Sequence, residues 1–181
     1  MAPGVSVAAG LTHCRIRATM LALRTCDRHA LSCRQSMSAR SLILLVEDDS
    51  DDAFFLRLAF LRAGLPNPIV DVRNGQQAVN YLSGSALYAD RSLYPLPRLV
   101  VVDLKLPLMD GFELLAWLQS RPDLKGLPVI VISSSDLPSD RDKAIQLGAK
   151  DYLVKPHNPD ELVSMVQTLP AKWMREPTPK D

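Results

Sequence analysis

From residue 42 onward, short runs of Val, Ile and Leu alternate with longer amphipathic stretches. Five runs have the length of strands, at residues 42–46, 69–72, 99–102, 129–132 and 152–154. Four of them are almost wholly apolar, as strands covered by helices on both faces must be, so the pattern predicts βαβ units and a parallel sheet. The stretches between carry helix-end signals. Asn74 can cap the second helix, Ser139 and Asp142 have the spacing of a capping box for the fourth, and Gly148 can close that helix. Asn158 followed by Pro159 opens the fifth, with Asp160 and Glu161 set against the positive end of its dipole. Five β/α pairs joined by right-handed crossovers predict a doubly wound α/β fold. It has a five-stranded parallel sheet and five helices in a three-layer α/β/α sandwich, with the ligand crevice beyond the carboxyl ends of the strands.

Composition narrows the class. With 181 residues, 47% hydrophobic and 23% charged, the chain has room for one globular domain with a real core. No window approaches the roughly 18 consecutive apolar residues of a membrane span, so no membrane insertion is expected. The formal charge of +1 hides an asymmetry. Residues 1–36 carry Arg15, Arg17, Arg24, Arg28 and Arg34 against Asp27, which is +4. The other 16 basic and 19 acidic side chains leave residues 37–181 at −3, with no basic stripe for nucleic acid.

Cys14, Cys26 and Cys33 all fall in the basic segment, and their spacing with His13 and His29 matches no zinc motif. A cysteine-free domain suits a reducing compartment, so a cytoplasmic location is expected. Residues 1–36 lack periodicity, and their first positive charge follows the apolar stretch 5–11, the wrong order for a secretory signal. An Arg-rich, acid-poor segment is compatible with a transit peptide, whereas Met37 stands just before the first strand as a natural start would. Residues 1–40 are therefore expected to be a disordered or mis-called extension, 41–170 the folded domain and 171–181 a disordered tail. Pro170, Pro177 and Pro179 mark the end of the chain, where no DNA-binding or enzymatic output domain is expected, so output should travel through protein contacts.

The residues that follow the apolar runs carry the chemistry. They are Glu47, Asp48 and Asp49 after the first, Asp103 after the third, Ser133 after the fourth and Lys155 after the fifth. Strand ends of a parallel sheet share one edge, so these groups should converge. Clustered carboxylates repel one another and call for a cation, and all-oxygen ligands favour a hard one such as Mg²⁺. Asp48 and Asp103 can supply carboxylates, and Lys155 can neutralise an incoming anion. Phosphoryl transfer to a carboxylate requires such a set: a nucleophile, a metal and positive charge on the equatorial oxygens.

ILLVEDD (43–49), VVVDLKLPLMDG (100–111), PVIVISSS (128–135) and GAKDYLVKP (148–156) together resemble the receiver domains of two-component response regulators, over about residues 41–170. The resemblance implies strand order 2-1-3-4-5. It implies Asp103 as phosphoacceptor, served by a sensor histidine kinase or histidine phosphotransfer protein. Mg²⁺ would be held by Asp48 and Asp103 directly, by Glu47 through water and by the backbone carbonyl of Lys105. Ser133 would bond one phosphoryl oxygen, Lys155 would pair with another, and a cis peptide at Pro156 would aim that lysine. Ser133 and the aromatic residue Tyr152 would form the switch that alters the surface around the fourth and fifth helices. A signalling domain is implied and not an enzyme acting on an outside substrate, although it can lose its own phosphoryl group. Homodimerisation through the fourth-helix to fifth-strand face is implied as well.

Several positions depart from the family pattern or carry a plainer reading. Glu stands at 47 where Asp is commoner, Ser at 133 where Thr is commoner, and Lys at 105, where its side chain lies near the phosphoryl group. Residues 83–97 are longer than a minimal receiver needs. They resemble insertions in the small receivers associated with phytochrome-type sensor kinases, or they form a solvated surface loop. Asp51 and Asp52 read as helix-start charges, Ser134 and Ser135 as turn residues and His157 as a loop residue. A flavodoxin-like cofactor binder would need a glycine-rich phosphate loop where Glu47, Asp48 and Asp49 stand. An aspartyl-phosphate hydrolase would need a second acid where Lys105 stands. A receiver-shaped module that is never phosphorylated is the remaining rival, and the complete acid, hydroxyl and lysine set argues against it.

Overall fold

The computed structural model describes residues 42–169. The expectations for 1–40, with Cys14, Cys26 and Cys33, and for 171–181 lie outside the described residues. The described elements are β1 (Ile43–Val46), α1 (Ser50–Arg62), β2 (Ile69–Val72), α2 (Gly75–Ser83), β3 (Leu99–Val102), α3 (Gly111–Gln119), β4 (Val129–Ser133), α4 (Pro138–Gln146), β5 (Asp151–Val154) and α5 (Pro159–Gln167). Short 3₁₀ turns stand at Ala86–Tyr88 and Pro122–Leu124. The five strands form one parallel sheet in the order β2-β1-β3-β4-β5. The fold is the flavodoxin-like arrangement expected, with strand limits within one residue of the sequence reading.

Alternation along each central strand sends successive side chains to opposite faces, and each face meets its own helices. Ile43, Leu45, Leu99, Val101, Ile130 and Ile132 pack with Leu56 and Phe60 of α1 and Leu162 and Val166 of α5. Leu44, Val46, Val100, Val102, Val129 and Val131 pack with Ala78 and Tyr81 of α2, Leu114 and Leu115 of α3 and Ala144 of α4. Burial on both faces explains why β1 and β3 are apolar throughout and β4 is apolar up to Ser133. The edge strands β2 and β5 tolerate Asp71 and Asp151.

Helix starts follow side-chain chemistry with one exception. Asp49 caps α1 by accepting the Asp51 and Asp52 amides, Asn74 caps α2, Asp110 and Glu113 form a full capping box on α3, and Asn158 caps α5. The box expected from Ser139 and Asp142 does not form. Pro138 takes the first helical position, so α4 begins one residue before Ser139 and has no side-chain cap. Gly148 closes α4 with φ +98.

Residues 83–97 form a largely exposed segment that is pinned to the domain by a few side chains. The Tyr81 hydroxyl donates to the Pro95 carbonyl at 2.9 Å, and the Tyr88 and Tyr94 rings pack tilted and edge-on against Tyr81, with centroids 5.0 and 6.2 Å away. Arg91 donates to the carbonyls of Tyr81 and Leu82 at the end of α2, satisfying acceptors that a helix end leaves open. No helix among the described residues is long and apolar enough to cross a membrane.

Candidate functional site

The sheet register assembles the site. Val46 pairs with both Val72 and Val102, and the ladder runs on one step, with the Glu47 amide donating to Val72 and the Asp103 amide to Val46, each at 3.0 Å. At the other side the Lys155 amide donates to the Ser133 carbonyl at 2.8 Å. Glu47, Asp103, Ser133 and Lys155 therefore share one rim, set by backbone pairing before any side chain acts.

The Lys155 ammonium is the centre of the cluster. It donates to Glu47 Oε2 at 2.7 Å, Asp103 Oδ2 at 2.8 Å and Asp52 Oδ2 at 2.7 Å. Glu47 is almost fully buried, the side chain of Asp103 is 7% exposed and that of Asp52 is 47% exposed. Burial disfavours the Glu47 carboxylate and the neighbouring Asp103 charge adds to this. Together they outweigh Lys155 and push the Glu47 pKa up to about 7. Burial works against the Lys155 charge too, but hydrogen bonds to Asp103, Asp52 and Glu47 prevail and hold the ammonium above its ordinary pKa.

Asp103 is oriented by its own loop, because Oδ1 accepts the Leu104 and Lys105 amides. Gly111 makes that loop possible: a Cβ there would stand 2.4 Å from the Asp103 carbonyl oxygen and 2.7 Å from Leu104 Cα. Ser133 is fully buried, and its hydroxyl oxygen accepts the Ser135 amide at 3.5 Å. Tyr152 is buried with its hydroxyl donating to the Ser135 carbonyl at 2.8 Å, and burial, with the Asp140 and Asp103 charges, raises its pKa. Ser135 is itself buried and donates to Asp140 Oδ2 at 2.6 Å, so it is a bridge to α4 and more than a turn residue.

Two expected ligands are exposed, and one expected backbone feature is absent. Asp48 is exposed at the same strand end, and its backbone carbonyl accepts a hydrogen bond from Arg73 at 3.1 Å. Lys105 is exposed, with its amide turned to Asp103. The peptide before Pro156 is trans, contrary to expectation, as no cis bond occurs among the described residues. The trans form is the ordinary preference for such bonds, and Lys155 reaches Asp103 from it.

Asp52 is the site residue that sequence reasoning missed. It was readable in principle, because it lies four residues before Leu56 and seven before Ala59, both buried, and so continues the inward stripe of α1 to the rim. Asp51, one step round the helix, is exposed.

Among the described residues no three Asp, Glu, His or Cys side chains form a ready-made metal cage. The donor chemistry nevertheless fits a hard divalent ion, since Mg²⁺ typically takes one or two protein carboxylates and completes its shell with water and phosphate oxygens. Glu47, Asp48 and Asp103 offer oxygen donors at one rim, with too little positive charge among them.

Comparison with known proteins agrees with the geometry. Residues 43–167 match the family model for the response regulator receiver domain. Response regulator Rcp1 of Synechocystis sp. is 32% identical over 76% of this chain and 91% of its own length. Among solved structures, the phosphorylated cyanobacterial phytochrome response regulator RcpA superposes with TM-score 0.68 at 34% identity, covering 75% of this chain and 94% of RcpA. The Mn²⁺-bound form of Rcp1 gives 0.67 at 32%, covering 76% and 97%.

Proposed function

The chain belongs to the response-regulator receiver family of two-component signalling, and from that premise we propose that Asp103 takes a phosphoryl group from the phosphohistidine of a sensor kinase or phosphotransfer protein, with Mg²⁺ as the assisting ion. The observation that carries this is the Lys155 ammonium 2.8 Å from Asp103 Oδ2, at a rim that also holds Glu47. A carboxylate oxygen of Asp103 attacks phosphorus as the P–N bond breaks. The bonding pair returns to the imidazole, whose other nitrogen carries the proton that makes it a neutral leaving group. Lys155 exchanges its bond to Asp103 for one to a phosphoryl oxygen, and the Ser133 hydroxyl turns to donate to another. A bound Mg²⁺ supplies further neutralisation of the phosphoryl oxygens, and Glu47, Asp48, Asp103 and the Lys105 carbonyl are the groups that would hold it.

The protein acts on no outside substrate in this reading; its chemistry is the gain and hydrolytic loss of its own phosphoryl group. The phosphorylated RcpA and Mn²⁺-bound Rcp1 support it by likeness. A phytochrome-type kinase is the donor we favour, because relatives carry that description. The exposed Phe54 and Leu61, on one face of the helix α1 that starts at the rim, offer the donor an apolar foothold. A second copy would use the α4 and β5 face, where Ile145 and Val154 are exposed. We assign the chemistry to the cytoplasm, the reducing compartment that a cysteine-free folded domain suits.

The test is to incubate the full-length chain with acetyl phosphate, with Mg²⁺ or with EDTA, alongside Asp103→Asn. Wild type should gain the mass of one phosphoryl group only with Mg²⁺, and Asp103→Asn should gain none. An unlabelled wild type would leave a receiver-shaped binding module.

A further inference from the structure

An ammonium has three donors, and each donor of Lys155 ends on a different acid. Glu47 and Asp103 are buried; Asp52, on the first turn of α1, is about half exposed. The third bond therefore commits one donor of the ammonium to an acid on α1 instead of to the two carboxylates that face a metal. We propose that Asp52 is a positioning residue: by occupying one hydrogen bond of Lys155 it stops the ammonium from fully neutralising Glu47 and Asp103, and so keeps that pair able to take up a divalent cation. The proposal rests on the receiver reading above.

The physical basis is competition. Lys155 and a divalent cation want the same buried oxygens, and whichever holds them leaves less for the other. With Asp52 removed, the freed donor can settle on Glu47 or Asp103, and the ammonium becomes the stronger competitor. Asp52 also attracts the cation directly through its charge, with the same sign. The two contributions part when Lys155 is neutral, because only the direct one survives. The plainer role for Asp52, a favourable charge at a helix N-terminus, affects stability and leaves cation affinity alone.

The experiment titrates Mn²⁺, read by the spin-resonance signal of the free ion, into full-length wild type, Asp52→Asn, Lys155→Gln and the double variant. Each is checked for a cooperative melt without metal. Asn keeps the size and helix-start character of Asp, and Gln leaves the buried acids a hydrogen-bond donor. Should Lys155→Gln fail to melt cooperatively, Lys155→Met provides the neutral background. Asp52→Asn should weaken Mn²⁺ binding about three- to tenfold in the presence of Lys155, and by less than half that factor in its absence. An unchanged affinity in Asp52→Asn overturns the proposal, as does an equal loss in both backgrounds. Failure of wild type to bind Mn²⁺ at all overturns the metal reading of the site, and this proposal with it.

Discussion

Glu47 is buried against Lys155 at 2.7 Å with the Asp103 carboxylate beyond, and its amide neighbour Asp49 donates to Oε1 at 3.3 Å. Its folded pKa of about 7 stands above the ordinary 4.5. Below pH 4.5 it is protonated in both states. Between 4.5 and 7 the unfolded chain releases the proton while the folded chain keeps it, so stability is full at the lower pH and is lost as pH rises through the folded pKa. The slope cannot exceed about 1.4 kcal/mol per pH unit, which makes the loss between pH 5 and 7 on the order of 2 kcal/mol. Asp49, whose pKa is lowered by the Asp52 and Asp51 amides, loses its contribution only at more acid pH, outside this window. Urea unfolding in EDTA should thus show wild type less stable at pH 7 than at pH 5, and Glu47→Gln nearly flat. A wild-type curve that is flat or rising across this range would refute the assignment. Saturating Mg²⁺ should oppose the trend, because a cation binds the ionised carboxylate.

At the scale of elements, the loop from β3 to α3 depends on one missing side chain. Alanine at 111, the first residue of α3, should gain less than the roughly 1 kcal/mol of helix propensity that an interior position would give, and its Cβ would stand 2.4 Å from the Asp103 carbonyl oxygen, a rigid backbone atom. Overpacking of this kind costs about 1–3 kcal/mol, so Gly111→Ala should lower stability on balance and slow phosphorylation of Asp103 by shifting its loop. A thermal melt at or above the wild-type temperature with labelling intact would show that the loop yields freely. Strand runs and the caps at Asn74 and Asn158 were legible because they express local chemistry: apolar β3 suits a strand covered on both faces, and each Asn caps from its own turn. The start of α4 was misread because Pro138, a backbone effect, overrides the side-chain pattern of Ser139 and Asp142. Asp52 was misread because its helix-start role is local and sufficient, whereas its partner lies 103 residues away. The tyrosine anchoring of residues 83–97 was open in the sequence for a similar reason, since tyrosines in a loop do not reveal which ring they meet.

Across the whole molecule, the rim residue Ser133 is linked to α4 through the buried Ser135. Ser133 accepts the Ser135 amide, the Ser135 carbonyl accepts Tyr152, and the Ser135 hydroxyl donates to Asp140 of α4. In the proposed function, a Ser133 that turned to a phosphoryl oxygen would release the Ser135 amide, and the bonds of Ser135 to Tyr152 on one side and to Leu137 and Asp140 on the other would pass the change to β5 and to α4 separately. Removing the hydroxyl alone should therefore cut one branch and spare the other. One hydrogen bond is worth about 1 kcal/mol, enough to move a two-state element about fivefold in population. Amide hydrogen exchange of the phosphorylated and unphosphorylated chain should change over residues 138–146 and 151–154 in wild type. In Ser135→Ala the change over 138–146 should fall by half or more while that over 151–154 persists, with Asp103 labelled within about threefold of wild type. Equal changes over 138–146 in both proteins would mean that α4 senses the phosphoryl group by another route, the nearest being Arg141, which reaches the Tyr152 carbonyl at 3.4 Å.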